Sequence, residues 1–418
     1  MAYLPRIIDH RLSRLLRGNP VVRLEGPRGC GKTTTGLHHT ASAVRLDTSP
    51  AMVELAQLDP DRLLTGAAPR LIDEWRLAPT LWNQLNGQLE NTPSLPGRYL
   101  LASSASPPDY RRHTQGADQL PVLRMRTRAL AENPRCAPQA SLAGLAYGNR
   151  VTKVRSPLTY RELAGEAVRG GWPALVDASI EQAIDYNTGY LHDLTHTDLP
   201  AASPTRHQPA RIGQLLASLA RHTAGQVSLA GLAADTHAAG GGAGRDTVRA
   251  YLDALARVHT WEPQPAWQPP LRTRARLRHQ PRAHLADPAL ACAALRLDQD
   301  RLADDPDTFA AVFTSMVIHD LRVHLEGTDA RLYHYQDETG LTIAAIIEYA
   351  DGGWAAIQTS LGEHRVVDAE ISLHKLCDER LDLDQTGQPR FLAVITGATT
   401  GYTTRSHTYV IPLATLTA

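Results

Sequence analysis

The first periodic stretch of the chain, residues 5–17, places Ile7, Ile8, Leu12, Leu15 and Leu16 at helical spacing among Arg and His. Gly18-Asn19-Pro20 stops that helix. Apolar runs follow at 20–25, 44–47, 69–75 and 98–105, each short enough to be a buried strand, with longer mixed stretches between them. Alternating strands and helices of this kind predict an α/β domain with a parallel sheet. Thr159-Tyr160-Arg161-Glu162 reads as a capping box opening a helix, and Gly170-Gly171-Trp172-Pro173 breaks it, so 158–200 is expected to be a small helical bundle. Leu199 to Pro204 reads as a linker. Beyond it, Ile212, Leu215, Leu216 and Leu219 form one apolar helical face. Leu229 and Leu232 mark a second helix, and Val248, Leu252, Leu255 and Val258 a third.

Between the first strand and the next helix lies Gly26-Pro27-Arg28-Gly29-Cys30-Gly31-Lys32-Thr33, followed by Thr34. This fits G-x-x-x-x-G-K-[ST], a phosphate-binding loop set between a strand and a helix. Glycines let the backbone wrap a phosphate with its N–H groups inward. Lys32 would reach the β- and γ-phosphates of ATP, and the Thr33 hydroxyl would ligate Mg²⁺. Cys30 reads either as a small residue whose N–H faces phosphate or as an oxidisable thiol. Forty residues on, the apolar strand ending in Asp73-Glu74 has the form of a Walker B element. Asp73 would hold the Mg²⁺ shell and Glu74 would act as general base; a solvated strand end is the plain alternative. Ser103 and Ser104, at the end of the following strand, are candidates for a side chain near the γ-phosphate.

Composition narrows this only slightly. The 418 residues are enough for two to four domains. The 43 basic and 43 acidic residues cancel, so bulk charge does not mark a nucleic-acid binder. Lys32, Lys153 and Lys375 are the only lysines. Cys30, Cys136, Cys292 and Cys377 are scattered without metal-ligand spacing, which suits a reducing compartment. The sequence shows neither an apolar signal core nor a transmembrane run, so a cytoplasmic location is expected.

Leu71-Ile72-Asp73-Glu74-Trp75, Pro79-Thr80-Leu81-Trp82-Asn83, Pro96 to Leu101 and Gly170-Gly171-Trp172-Pro173, with the C-terminal third, resemble a bacterial and archaeal family of AAA-type P-loop ATPases. That family carries a C-terminal domain related to PD-(D/E)xK restriction-endonuclease folds. The resemblance implies an AAA-type core (1–145), a helical lid (146–205), a winged-helix-like domain (206–262) and a nuclease-like α/β domain (263–418). It also implies departures. A family arginine is Gln119 here, in Gly116-Ala117-Asp118-Gln119. The nuclease Asp position holds Ala344, the Glu-x-Lys positions hold Gln358 and Ser360, and an acidic helix position is Thr314, so nuclease activity is not expected. The function implied is a Mg²⁺-dependent ATPase acting as a nucleotide-driven switch. The alternative is a nucleotide-gated DNA- or protein-binding module with negligible hydrolysis.

Two basic features bear on partners. The third winged-helix segment exposes Arg245, Arg249 and Arg257, which suits either DNA contact or a packing module. Arg272, Arg274, Arg276, Arg278 and Arg282 lie in a stretch, 263–286, without any acidic residue. An extended strand there would be a phosphate-backbone footprint or a solvated basic edge. A protein partner and oligomerisation remain open.

Overall fold

The computed structural model describes residues 3–91, 95–105, 120–202, 208–238, 242–269 and 280–418. The chain forms two compact units. One comprises Met1–Thr127, Leu194–His207 and Leu252–Thr260; the other comprises Arg128–Asp193, Gln208–Tyr251 and Trp261–Ala418.

The first unit is built on a parallel sheet of β1 (Val21–Glu25), β2 (Ser42–Arg45), β3 (Arg70–Asp73), β4 (Tyr99–Ser103) and β5 (Val122–Arg124), in the order β2-β3-β4-β1-β5. All four pairings are parallel. β1, β3 and β4 read as nearly unbroken apolar runs because helices cover both faces. On one face Leu12 and Leu16 of helix α1 (Ile8–Gly18) pack with Val22, Leu24, Leu71 and Leu100. On the other, Trp75, Trp82 and Leu85 pack with Val21, Ile72 and Leu101. Helix α2 (Lys32–His39) approaches β3 closely at Gly36, where a methyl group would come within 2.8 Å of Leu71 Cδ1.

The second unit holds a mixed seven-stranded sheet with the order β7-β12-β13-β11-β10-β9-β8. Following the short strand β6 (Ala140–Ser141), these strands are β7 (Val154–Arg155), β8 (Arg331–Gln336), β9 (Thr342–Glu348), β10 (Trp354–Ser360), β11 (Leu392–Thr396), β12 (Thr400–Thr403) and β13 (Tyr409–Pro412). Along β9, Ile347 faces the helix Pro306–Leu325, with Val312, Phe313 and Val317. Ile346 faces the helix Val366–Lys375 on the opposite side, with Ala369 and Leu373. The capping box forms as expected: the Thr159 side chain accepts from Glu162 N–H, and Glu162 Oε2 accepts from Thr159 N–H at 2.8 Å. Leu163, Ala164, Ala167 and Val168 of that helix join the same core as Phe313 and Ile347. The 146–205 stretch therefore divides, with its helices up to Asp193 in the second unit and Leu194 onward in the first.

Two local readings are corrected. Val44 to Asp47 is a strand only to Arg45; Leu46–Thr48 is a 3-10 turn with Leu46 buried. Leu199–Ala202, read as linker, is a helical turn with Leu199 and Ala202 buried. Asp337 is fully buried. It organises a turn: its Oδ1 accepts from Thr339 N–H at 2.9 Å, Thr339 Oγ1 at 2.7 Å and Leu341 N–H at 3.2 Å, while Arg380 Nε lies 3.3 Å from Oδ2.

Candidate functional site

Parallel strands in register bring their carboxyl ends to one edge, where open α/β sheets bind ligands. Glu25 pairs with Ser103, and Asp73 with Ala102. The loop after β1, Asp73-Glu74 after β3 and Ser104 after β4 therefore meet at that edge of the first unit.

The loop has little freedom. A Cβ on Gly26 would lie 1.9 Å from the Met125 carbonyl oxygen, so only glycine fits. Gly29 (φ 79°) and Gly31 (φ 107°) adopt the left-handed backbone that turns the chain into α2. Cys30 is fully buried and its Sγ donates to Met125 O at 3.4 Å, so it is a packed thiol rather than an exposed one. Arg6 anchors the loop from beneath, donating to Cys30 O at 3.0 Å and to Arg126 O at 2.9 Å. Arg28 is half-exposed and pairs with Asp198 at 3.1 Å. Thr34 is exposed. Arg6 and Asp198 carry no motif that would single them out beforehand.

Lys32 is buried and donates 2.9 Å hydrogen bonds to the carbonyls of Gly26 and Pro27 across the loop. Thr33 Oγ1 donates to Asp73 Oδ2 at 2.5 Å, so the two side chains are in direct contact. Asp73 is wholly buried, and its Oδ1 has no hydrogen-bond partner among the described residues. Arg45 Nε lies 3.7 Å from Oδ2. A buried carboxylate with one oxygen unsatisfied, beside a hydroxyl with free lone pairs, is an oxygen donor set suited to Mg²⁺. Those two residues fit the ion.

Glu74 sits in the left-handed region (φ 52°, ψ 38°), which is uncommon for a residue with a Cβ. This turn directs its carboxylate toward β4, where Oε2 accepts from Ser104 N–H at 3.1 Å. The Ser103 hydroxyl is used locally, donating to Ala105 O at 2.7 Å. The backbone of Ser104, rather than either hydroxyl, is what reaches Glu74. Below the site, Glu25 is held by buried Arg76 at 2.5 Å and Arg23 at 3.3 Å. Asp9 ties α1 to α2. Burial pushes its carboxyl up, but bonds from His39, Arg6 N–H and Tyr3 outweigh this and hold it below its ordinary value.

In the second unit, β9 and β10 bring Ala344 and Gln358 together. Gln358 Oε1 accepts from Ala344 N–H and Thr359 N–H at 3.2 Å each, and Nε2 donates to Thr342 O at 2.8 Å. Ser360 Oγ donates to Gly362 O, and Thr314 Oγ1 lies 2.8 Å from Thr359 Oγ1. Gln358, Ser360 and Thr314 are neutral side chains bonded to backbone or to a neighbouring hydroxyl, and Ala344 presents only a methyl group. Among the described residues no cluster of three or more His, Cys, Asp or Glu could hold a metal ion. Arg245 and Arg249 are exposed, and Arg257 is partly buried. Arg272 to Arg278 and Gln119 lie outside the described residues; Arg282 is buried rather than on a solvated edge. No described helix is long and apolar enough to cross a membrane.

Residues 160–301 match a family described as a domain of unknown function (DUF8612). Uncharacterised proteins of Mycobacterium tuberculosis and Mycobacterium bovis are each 28% identical over 303 residues, covering 70% of this chain. The match spans 60% of the length of those curated relatives. A Walker-type ATPase of Pyrococcus abyssi is similar in structure at a TM-score of 0.43 and 12% identity, over 69% of this chain and 94% of that one.

Proposed function

We propose that the first unit binds ATP with Mg²⁺ and hydrolyses it, and that the chain is a nucleotide-driven switch whose nuclease-like unit has no catalytic role. The observation that carries this reading is the Thr33–Asp73 contact with Asp73 Oδ1 left unsatisfied, at the sheet edge where Lys32 and Glu74 also lie. In this reading the loop N–H groups and Lys32 hold the phosphates, Lys32 exchanging its two carbonyl partners for phosphate oxygens. Thr33 Oγ1 and an Asp73 oxygen would hold Mg²⁺, which when bound would neutralise charge at those phosphates. Glu74 orients the attacking water and takes its proton, while Ser104 N–H fixes where its carboxylate points. Residues that bind and residues that hydrolyse can be separated. Lys32→Ala is expected to abolish ATP binding in a calorimetric titration. Glu74→Gln is expected to retain binding and lose phosphate release. Normal turnover in both variants would rule the reading out.

A second reading, nucleotide-gated binding with negligible turnover, draws on the same Glu74–Ser104 bond. A carboxylate oxygen already occupied by a backbone N–H is less available to receive a bound water. ATP binding without phosphate release in the unmodified protein would favour it.

A further inference from the structure

Residues 280–285 run between two other extended stretches of the second unit. Arg282 forms a bridge with Gln226 on one side and with Gln264 on the other. Two 3.0 Å backbone bonds close the Arg282–Gln264 pair. Beside it, Val227 N–H reaches Pro281 O at 3.1 Å and Ala283 N–H reaches Gly225 O at 2.8 Å. Directly opposed residues project to the same face, so Gln226, Arg282 and Gln264 stand in a row.

The three side chains differ in how they are satisfied. Gln264 is fully used: Nε2 donates to Tyr333 O at 2.9 Å and Ala344 O at 3.0 Å, and Oε1 lies 3.3 Å from His284 Nε2. Gln226 Nε2 is buried without an acceptor among the described residues. Arg282 is only 7% exposed, and no described residue gives its guanidinium a hydrogen bond, ion pair or ring contact. Its neighbours do not supply a counter-charge. His334 Nε2 donates to Gln280 O at 3.0 Å, and burial holds both His334 and His284 neutral. Glu262 faces Arg322 at 3.8 Å. Although burial pulls Arg282 down to about 10, it stays cationic at neutral pH.

A guanidinium withdrawn from water without a counter-anion is costly. Its planar fork of donors matches the oxygens of a phosphate group, and the Gln226 amide adds a donor on the same face. We propose that Arg282 and Gln226 form an oxyanion site for a phosphate-class ligand, separate from the loop at Gly26–Thr33. The ligand is either a phosphodiester of a nucleic-acid backbone or a small phosphorylated molecule; both present the same chemistry to the fork.

The test uses the full chain carrying Lys32→Ala, so that the loop does not contribute. Inorganic phosphate is expected to raise the melting temperature of this protein in a saturable way. Adding Arg282→Gln should weaken the phosphate dissociation constant about tenfold or more, and Gln226→Ala several-fold. Circular dichroism checks each fold, and the half-buried Gln226 position carries the test if Arg282→Gln does not fold. A labelled DNA duplex that displaces phosphate only when Arg282 is present identifies a nucleic-acid source; binding without displacement identifies a small ligand. Absence of phosphate protection in folded Lys32→Ala protein overturns the proposal while leaving the loop assignment intact. Protection unchanged by both further substitutions overturns it equally.

Discussion

At the residue scale, Asp73 is placed against its own stability. A fully buried carboxylate with an oxygen lacking a partner among the described residues costs about 1–3 kcal/mol relative to a satisfied group. Asp73→Asn keeps the shape and removes the charge. Without nucleotide, its melting temperature is therefore expected to be unchanged or higher, while Mg²⁺-dependent ATP affinity falls about tenfold or more. Differential scanning calorimetry and a Mg²⁺-dependent titration would check the two halves; a loss of stability with affinity intact would contradict the assignment. The spacing of Lys32, Thr33, Asp73 and Glu74 was readable because each follows an apolar strand at a fixed offset. The left-handed backbone at Glu74, and the Ser104 N–H that meets it, were not, since both arise only when β3 lies beside β4. Arg6 was equally hidden, because nothing local separates it from the other arginines.

At the scale of elements, α2 can set the loop only if it lies close on β3, and Gly36 is the point of approach. Gly36→Ala sets two effects against each other. Helix propensity favours alanine by about 0.5–1 kcal/mol. The new methyl would sit 2.8 and 2.9 Å from the two Leu71 methyl carbons, and Leu71 is wholly buried in a close-packed core. Overpacking of this kind costs about 1–3 kcal/mol, so net destabilisation is expected, with weaker nucleotide binding as the helix shifts. Adding Leu71→Val should recover part of the loss, a coupling that a double-mutant cycle by urea denaturation would measure. The first helix and β1 to β4 showed in the apolar pattern to within a few residues, whereas the short β5 did not. Strand order did not, because inserting β4 between β1 and β3 depends on pairings between segments far apart in sequence. The burial of Asp337 was concealed for the same reason: its partner Arg380 is distant in the chain.

At the scale of the whole molecule, buried imidazoles tie stability to pH. Burial, reinforced by the Arg282 cation, lowers His334 to about 4, and burial with Arg322 nearby lowers His284 well below its usual value. Both are neutral when folded and take up protons more readily when unfolded. Their contribution is thus complete above about pH 6.5, the ordinary histidine value, and is lost progressively as pH falls from there toward about 4. His334 alone accounts for roughly 2 kcal/mol of lost stability at pH 5. Chemical denaturation at pH 7.5 and pH 5 should show the drop, and His334→Gln should shrink it; an equal drop in both proteins would exclude His334 as a cause.

The first unit is also discontinuous in the chain: Met1–Thr127 is joined by Leu194–His207 and Leu252–Thr260. During synthesis from the N-terminus, the phosphate loop leaves the ribosome long before the last of those pieces exists. Asp198, which pairs with Arg28 on the loop, is made only after the helix Ile180–Asp193 of the other unit. Asp198 therefore joins the loop only after residues 128–193 of the second unit have been made, and no single cut can release the first unit whole.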